Sequence, residues 1–134
     1  MSRGQHLHNK VLLKPVEETF QDFVWETIRE FYVRDEHFTG FIDLLAIKDD
    51  TTIAVEIELS SRRVLRDVRK AEIANTDELW IVVPNSVVAR QVKRALQNQK
   101  IKGINMKKNS IFICTKSTAI SRVSNCFPPK NSAE

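Results

Sequence analysis

A chain of 134 residues has room for one domain with a substantial core but not for two. Its 42% hydrophobic and 28% charged residues are ordinary for a globular protein, and no apolar run approaches the ~20 residues that a membrane span requires. The first ten residues, MSRGQHLHNK, lack the apolar segment of a secretory signal. We therefore expect a cytoplasmic protein without a membrane partner.

The net charge of +4 is unevenly distributed along the chain. Residues 15–59 contain twelve acids against three basic residues, whereas residues 60–134 contain fifteen Lys and Arg against five acids. Basic surface binds nucleic acid through phosphate contacts and counterion release. The second half of the chain thus favours a nucleic-acid partner, although lysine is also common on ordinary solvated surfaces.

Residues 1–14 are mostly polar and basic, and we interpret them as a flexible N-terminal arm that either contacts DNA or frays. His6 and His8 in this arm have a spacing compatible with a metal, which is a weak signal in a mobile terminus. Pro15 suits the first turn of a helix. Apolar residues then recur at helical spacing, which predicts one helix over residues 15–33.

Glu17 differs from the other acids of this predicted helix, because it falls inside the apolar arc rather than on the solvated face. Two interpretations are about equally good. A glutamate in the first turn stabilises the helix dipole. An inward-facing acid can also join a metal site formed by other parts of the chain.

The next stretch, FIDLLAIKDDTTIAVEIEL, predicts two strands joined by a two-residue turn at Asp49-Asp50. That loop places Asp43 directly opposite Glu56, and alternation of side chains puts Glu58 on the same face as Glu56. Facing acids repel each other and weaken a sheet. Either this is a solvated edge, or the three carboxylates bind a divalent cation such as Mg²⁺, which takes hard oxygen ligands.

Beyond the hairpin, Ser60-Ser61 caps a predicted helix over residues 62–75. A buried strand at residues 77–84, a helix at 86–98 and a strand at 111–115 follow, with a further short strand near 103–106. We expect an irregular tail over residues 116–134. This order predicts an α/β domain in which a parallel β-α-β unit extends the hairpin into a mixed sheet.

A helix with an inward Glu, a strand bearing Asp, and a following strand with two acids one residue apart resemble the PD-(D/E)XK nuclease superfamily. This restriction-endonuclease-like fold includes small Holliday junction resolvases and RecB-type nucleases. The resemblance covers roughly residues 15–115. It implies a single nuclease domain with three α/β/α layers, a central mixed sheet and the element order α-β-β-α-β-α-β.

The resemblance also assigns roles to individual residues. Asp43 matches the motif Asp and Glu56 the second acid, and together with the carbonyl of Ile57 they would bind Mg²⁺, with Mn²⁺ as a substitute. Glu17 matches the carboxylate that some members add from the helix. Glu58 stands where the family usually has a lysine that orients the attacking water, and Ile42 replaces the motif proline.

The basic residues that follow are predicted to bind DNA phosphates or to replace the missing lysine. These candidates are Arg62, Arg63, Arg66, Arg69 and Lys70. The leading expectation is a Mg²⁺-dependent deoxyribonuclease, acting as a homodimer on duplex or branched DNA. A catalytically inactive DNA-binding or adaptor protein on the same fold is the alternative, and a protein-interaction domain is a weaker one. With three glycines the chain has no phosphate-cradling loop, so no nucleotide cofactor is expected.

Overall fold

A five-stranded mixed sheet forms the centre of the protein, whose computed structural model describes residues 2–98 and 110–126. The first three strands are antiparallel to one another, and the last three are parallel. The predicted α/β fold with a mixed sheet is therefore confirmed. In spatial order, which is also chain order, the strands are β1 (Glu26–Arg34), β2 (Thr39–Lys48), β3 (Thr51–Ile57), β4 (Glu78–Val83) and β5 (Ile111–Thr115).

Helices cover both faces of this sheet. The helices α2 (Lys14–Asp22) and α5 (Lys116–Cys126) pack on one face, and α3 (Val64–Ile73) and α4 (Ser86–Asn98) pack on the other, so each face has its own apolar core. Among the described residues, none of the helices is both long and apolar enough to cross a bilayer. The helical segments are α1 (Arg3–His6), a π-helical segment (Leu7–Leu13), α2 (Lys14–Asp22), α3 (Val64–Ile73), α4 (Ser86–Asn98) and α5 (Lys116–Cys126).

The two ends of the chain are more ordered than the sequence predicts. The expectation of a flexible arm over residues 1–14 is wrong, because helical backbone starts at Arg3 and both Leu12 and Leu13 are buried. The expectation of an irregular tail is wrong for α5, whose Ala119 and Val123 are fully buried. Residues 127–134 and the strand predicted near 103–106 lie outside the described residues.

The helix predicted over residues 15–33 ends eleven residues early, at Asp22, and β1 replaces its second half. Val24 adopts a left-handed conformation, with φ of 68°. Its N–H donates to the carbonyl of Gln21, and the Trp25 N–H donates to that of Phe20, both at 3.0 Å. These two bonds and the Phe20–Trp25 ring contact at 5.2 Å form a Schellman ending. Glycine usually takes that position, so the sequence contains no stop signal.

The predicted hairpin is confirmed, including its register. Leu44 pairs with Val55 and Lys48 with Thr51, as the two-residue turn requires. The alternation of side chains breaks at Asp43, because Ile42 and Leu44, two residues apart, lie in opposite cores. The β2 strand therefore leaves its regular pleat at Asp43.

The remaining elements match the sequence pattern with small shifts at their ends. The helix predicted over residues 62–75 runs as α3, from Val64 to Ile73, and Asn75 follows it with φ of 54°. The β4 strand and α4 lie where the sequence predicts them. Relative to the expected order, the structure adds β1 before the hairpin and α5 after β5.

Replacing Val24 with glycine should stabilise the protein. A left-handed conformation costs a non-glycine residue about 1–2 kcal/mol, and Val24 is 80% exposed, so little packing is lost. We expect a gain of about 1 kcal/mol in the free energy of unfolding, measured by urea denaturation. Val87→Gly is the matched control, because Val87 is an exposed valine in helix α4 and its replacement should destabilise. A loss of stability in Val24→Gly would contradict the strain argument.

Candidate active site

Asp43 and Glu56 lie side by side where β2 and β3 meet the N-terminal end of α3. The Asp43 N–H donates to Glu56 Oε1 at 3.1 Å, and the Ile57 N–H donates to Asp43 Oδ2 at 2.8 Å. Each carboxylate thus replaces a backbone carbonyl as an acceptor across the hairpin. The structure brings the two acids together, and Ile57 contacts Asp43 through its N–H.

Glu56 is almost completely buried, at 1% exposed. Burial and the charge of Asp43 raise the pKa of Glu56 to about 8, although Lys70 acts in the opposite direction. Its Oε2 is buried and forms an ion pair with Lys70 Nζ at 2.9 Å. Lys70 is therefore the charge partner of this buried oxygen.

Lys70 reaches this pair of acids from α3. Its Nζ also donates to the carbonyl of Phe41 at 2.8 Å and lies 3.5 Å from Asp67 Oδ1. Burial by itself lowers the pKa of Lys70, but the negative charges of Glu56, Asp67 and Asp43 outweigh burial and raise it. Lys70 thus belongs to the cluster formed with Asp43, Glu56 and Asp67, rather than to an outer DNA-binding face.

Gly40 makes the approach of Lys70 possible. A Cβ atom at this position would lie 3.2 Å from Lys70 Cδ and 3.1 Å from the ring of Phe38. A larger residue would require the Phe38 ring and the stem of Lys70 to shift by a few tenths of an ångström. The glycine is needed here for a close approach, and not for an unusual backbone angle.

Asp67 is a fourth acid of the cluster, which the sequence analysis missed. It is fully buried on α3, and neither of its oxygens accepts a hydrogen bond in the described part of the chain. Burial and the neighbouring carboxylates of Glu58 and Glu56 raise the pKa of Asp67 to about 11, which favours its protonated form at neutral pH. The signal was present, because Asp67 falls within the apolar stripe of Val64, Val68 and Ala71.

His8, rather than Glu17, is the residue that the N-terminal helix contributes. His8 Nε2 lies 3.1 Å from Asp43 Oδ2, and Nδ1 lies 2.7 Å from Asn9 Oδ1. The hydrogen bond to Asp43 raises the pKa of His8 against the effect of burial. Glu17 instead pairs with Arg29 on β1 at 2.7 Å and does not line the site. His8 lies in the π-helical segment, an irregularity that is frequent at functional sites.

A cleft of about 550 Å³ opens over these residues. Arg62, Arg63 and Arg66 line it with exposed side chains, as a phosphate-binding surface requires. Arg69 does not line the cleft, because it is paired with Asp35 at 2.7 Å. The acidic members of the lining are Asp43, Glu56, Glu58 and Asp67.

Whether these residues suit a cation depends on their chemistry as well as on their geometry. In the described ranges, no three His, Cys, Asp or Glu side chains converge as a ready-made metal site. Mg²⁺, however, keeps several waters and commonly takes one or two carboxylates. Asp43 and Glu56 supply two carboxylates, and both line the open cleft. The donor set therefore fits a hydrated Mg²⁺ ion.

Comparisons with known proteins show structural similarity to a solved structure and do not assign the chain to a family. No family model matches the chain, and no curated protein matches it in sequence. Among solved structures, the protein of unknown function AF1548 is similar, with a TM-score of 0.52 and 13% sequence identity. The likeness covers 76% of this chain and 55% of AF1548, so this chain spans about half the length of that protein. At this identity the likeness concerns the fold alone.

The buried acids predict that stability falls as pH rises. Glu56 shifts from an ordinary pKa of 4.5 to about 8, so between these values the folded state holds a proton that the unfolded state has lost. The free energy of unfolding should then fall by up to about 1.4 kcal/mol per pH unit over that window. Asp67, shifted from 3.8 to about 11, acts in the same direction over a wider range.

The measurement is urea denaturation between about pH 5.5 and pH 8 in EDTA. Glu56→Gln should reduce the slope, because the neutral amide no longer titrates, and Asp67→Asn should reduce it further. Glu18→Gln, which changes an exposed acid on α2, is the control and should keep the wild-type slope. A stability that is constant or rises over this range would show that these acids are not held protonated.

Proposed function

We propose that this chain is a Mg²⁺-dependent DNA endonuclease of the PD-(D/E)XK type. The observation that carries the proposal is the buried Glu56, held beside Asp43 on adjacent strands, with Lys70 Nζ 2.9 Å from its Oε2. Two acids and one amine on a strand pair and a following helix are the groups that this chemistry needs. The α/β fold with a mixed sheet supports the same assignment.

Asp43, Glu56 and the carbonyl of Ile57 would hold the metal, with Mn²⁺ as a substitute. When bound, the cation polarises a phosphoryl oxygen and lowers the pKa of a coordinated water. The protein's own contribution is to fix the two acids. Asp43 is held by the Ile57 N–H and His8, and Glu56 is held by the Asp43 N–H.

Lys70 is proposed to replace the lysine that the motif usually has at the position of Glu58. It comes from α3 instead of the residues that follow β3, but its amine lies against Glu56. There an ammonium can donate to the attacking water and stabilise the negative charge that develops on the phosphate. Glu58 is relieved of that role, and its charge helps to raise the pKa of Asp67.

The exposed arginines Arg62, Arg63 and Arg66 are proposed to bind the phosphates of the DNA strand. Guanidinium groups bind phosphate oxygens in a bidentate manner, and together they offset the acid cluster beneath them. Arg69 is left out of this surface, because Asp35 already occupies its guanidinium group. Action as a homodimer, with one site for each strand of DNA, remains part of the proposal.

A catalytically inactive DNA-binding or adaptor protein is the second candidate. Glu58 at the lysine position favours it, as does the lack of a ready-made metal cluster in the described residues. That protein would bind DNA in a salt-dependent way, because phosphate contacts release counterions. Its binding would not respond to Mg²⁺.

Substitution of the proposed catalytic groups should abolish cleavage. Glu56→Gln removes a metal ligand, and Lys70→Met removes the ammonium while keeping the length of the side chain. Each should lower the cleavage rate in Mg²⁺ by about 100-fold or more. The assay uses single-stranded, duplex and branched DNA with Mg²⁺, Mn²⁺ or EDTA.

Glu18→Gln and Lys93→Met are the matched controls, since both change exposed residues that do not line the cleft. Both should cut like the wild type. Undiminished cleavage by Glu56→Gln would refute the site assignment. DNA binding by the wild type without cleavage in either metal would favour the inactive alternative.

Mg²⁺ should also stabilise the folded protein, independently of any cleavage. A ligand that binds only the native state raises stability by about 2.7 kcal/mol at one hundred times its Kd. We expect the melting temperature to rise with Mg²⁺ concentration near pH 8, where Glu56 readily gives up its proton. The same titration on Asp43→Asn should give no rise, while Glu18→Gln should respond like the wild type. An equal rise in Asp43→Asn would place the cation elsewhere.

A further inference from the structure

Two aromatic rings stand exposed beside the cleft without a role in either core. Tyr32 on β1 is 52% exposed, and Phe41 on β2 is 55% exposed. The two residues pair directly across the ladder, and their ring centroids lie 5.3 Å apart at an interplanar angle of 55°. The other large apolar side chains exposed in the described residues are aliphatic. An exposed ring pair gains little for folding, since burial is what makes apolar surface stabilising.

The position of Phe41 connects this ring pair to the charged site. Phe41 lines the cleft, and Lys70 fixes its backbone by donating to its carbonyl. Arg62 and Arg66 line the same cleft. A strand whose phosphates contact these arginines would therefore carry its bases next to the rings.

The neighbouring Phe38 shows how an aromatic residue at this site is covered when it has a partner. The guanidinium group of Arg66 lies 4.9 Å from the centre of the Phe38 ring. Tyr32 and Phe41 contact each other but leave about half of their surface open. Because β1 is an edge strand, no further strand in the described sheet adjoins Tyr32.

We propose that Tyr32 and Phe41 form a stacking platform for an unpaired DNA base. Phosphate-binding arginines beside exposed aromatic rings are the combination that single-stranded DNA requires, because every base has a π-face. In a duplex that face is hidden between neighbouring base pairs. This proposal rests on the proposed function and narrows the class of DNA substrate. The preferred substrate contains a single-stranded segment at the site, and a fully paired duplex binds less well.

The test uses an oligonucleotide that carries 2-aminopurine, whose fluorescence is quenched when the base stacks. The single strand and the matching duplex are titrated with protein in EDTA, so that binding is measured without cleavage. Tyr32→Ala and Phe41→Ala should each weaken single-strand binding about ten-fold and remove the quenching. Duplex binding should change little.

Ring-preserving and ring-removing variants separate stacking from simple apolar contact. Phe41→Tyr and Tyr32→Phe should bind like the wild type, whereas Phe41→Leu should fall with Phe41→Ala. Val87→Ala changes an exposed apolar residue on α4 and is the control. Normal binding and quenching by Phe41→Leu would overturn the proposal. So would an equal loss of single-strand and duplex binding in the alanine variants, or a change in their oligomeric state, which would mean that a second copy covers the rings.

Failure of this proposal and failure of the nuclease assignment look different. Ring-dependent binding of single strands without cleavage in Mg²⁺ would keep the platform and refute the nuclease. Mg²⁺-dependent cleavage that is equal on single strand and duplex, and unchanged in both alanine variants, would keep the nuclease and refute the platform. No binding to either DNA would refute both.

Discussion

The burial of Glu56 against Asp43 is the constraint on which the rest of the site depends. A carboxylate that loses its water needs a cation, a proton or hydrogen-bond donors, or it destabilises the fold. Here the backbone N–H of Asp43 supplies one donor, and Lys70 supplies the charge. The acids still outnumber the cations, so a proton is retained on Asp67 and the pKa of Glu56 rises to about 8. An arrangement that lowers the stability of the fold and attracts cations is expected of a functional site rather than of a purely structural region.

The sheet holds these groups in place from both of its faces. The β2–β3 hairpin presents the two acids. Helix α3 brings Asp67 and Lys70 from one face of the sheet, and the N-terminal helical segment brings His8 from the opposite face. Gly40 leaves room for the stem of Lys70. The break in alternation at Asp43 takes its side chain out of the regular pleat. Removing any one of these elements would take away groups that hold Asp43 and the buried Glu56 in place.

The sequence predicted those parts of the fold in which the local pattern of apolar residues agrees with burial. It did not predict the parts in which a tertiary contact determines the local structure. The hairpin register followed from its apolar face and its turn, because a slip of one residue would reverse every side chain. The end of α2 could not be predicted, because Val24 occupies a position that normally signals itself with glycine. Asp43 and Glu56 were found because they are neighbours across one turn. The sequence contains only a weak signal for His8 and none for its contact with Asp43, because the two residues are 35 positions apart and the helical segment of His8 packs through the buried Leu12 and Leu13.

Under the proposed function, Lys70 and Glu58 together account for the way this site departs from the nuclease motif. Glu58 directly follows β3 and lines the same cleft as Lys70 and Asp67. Its negative charge helps to raise the pKa of Asp67, and Lys70 Nζ lies 2.9 Å from Glu56 Oε2. A lysine at position 58 would add a second ammonium to this cleft. Under the proposed function, the retained ion pair between the buried Glu56 and Lys70 favours a reorganised site over a decayed one.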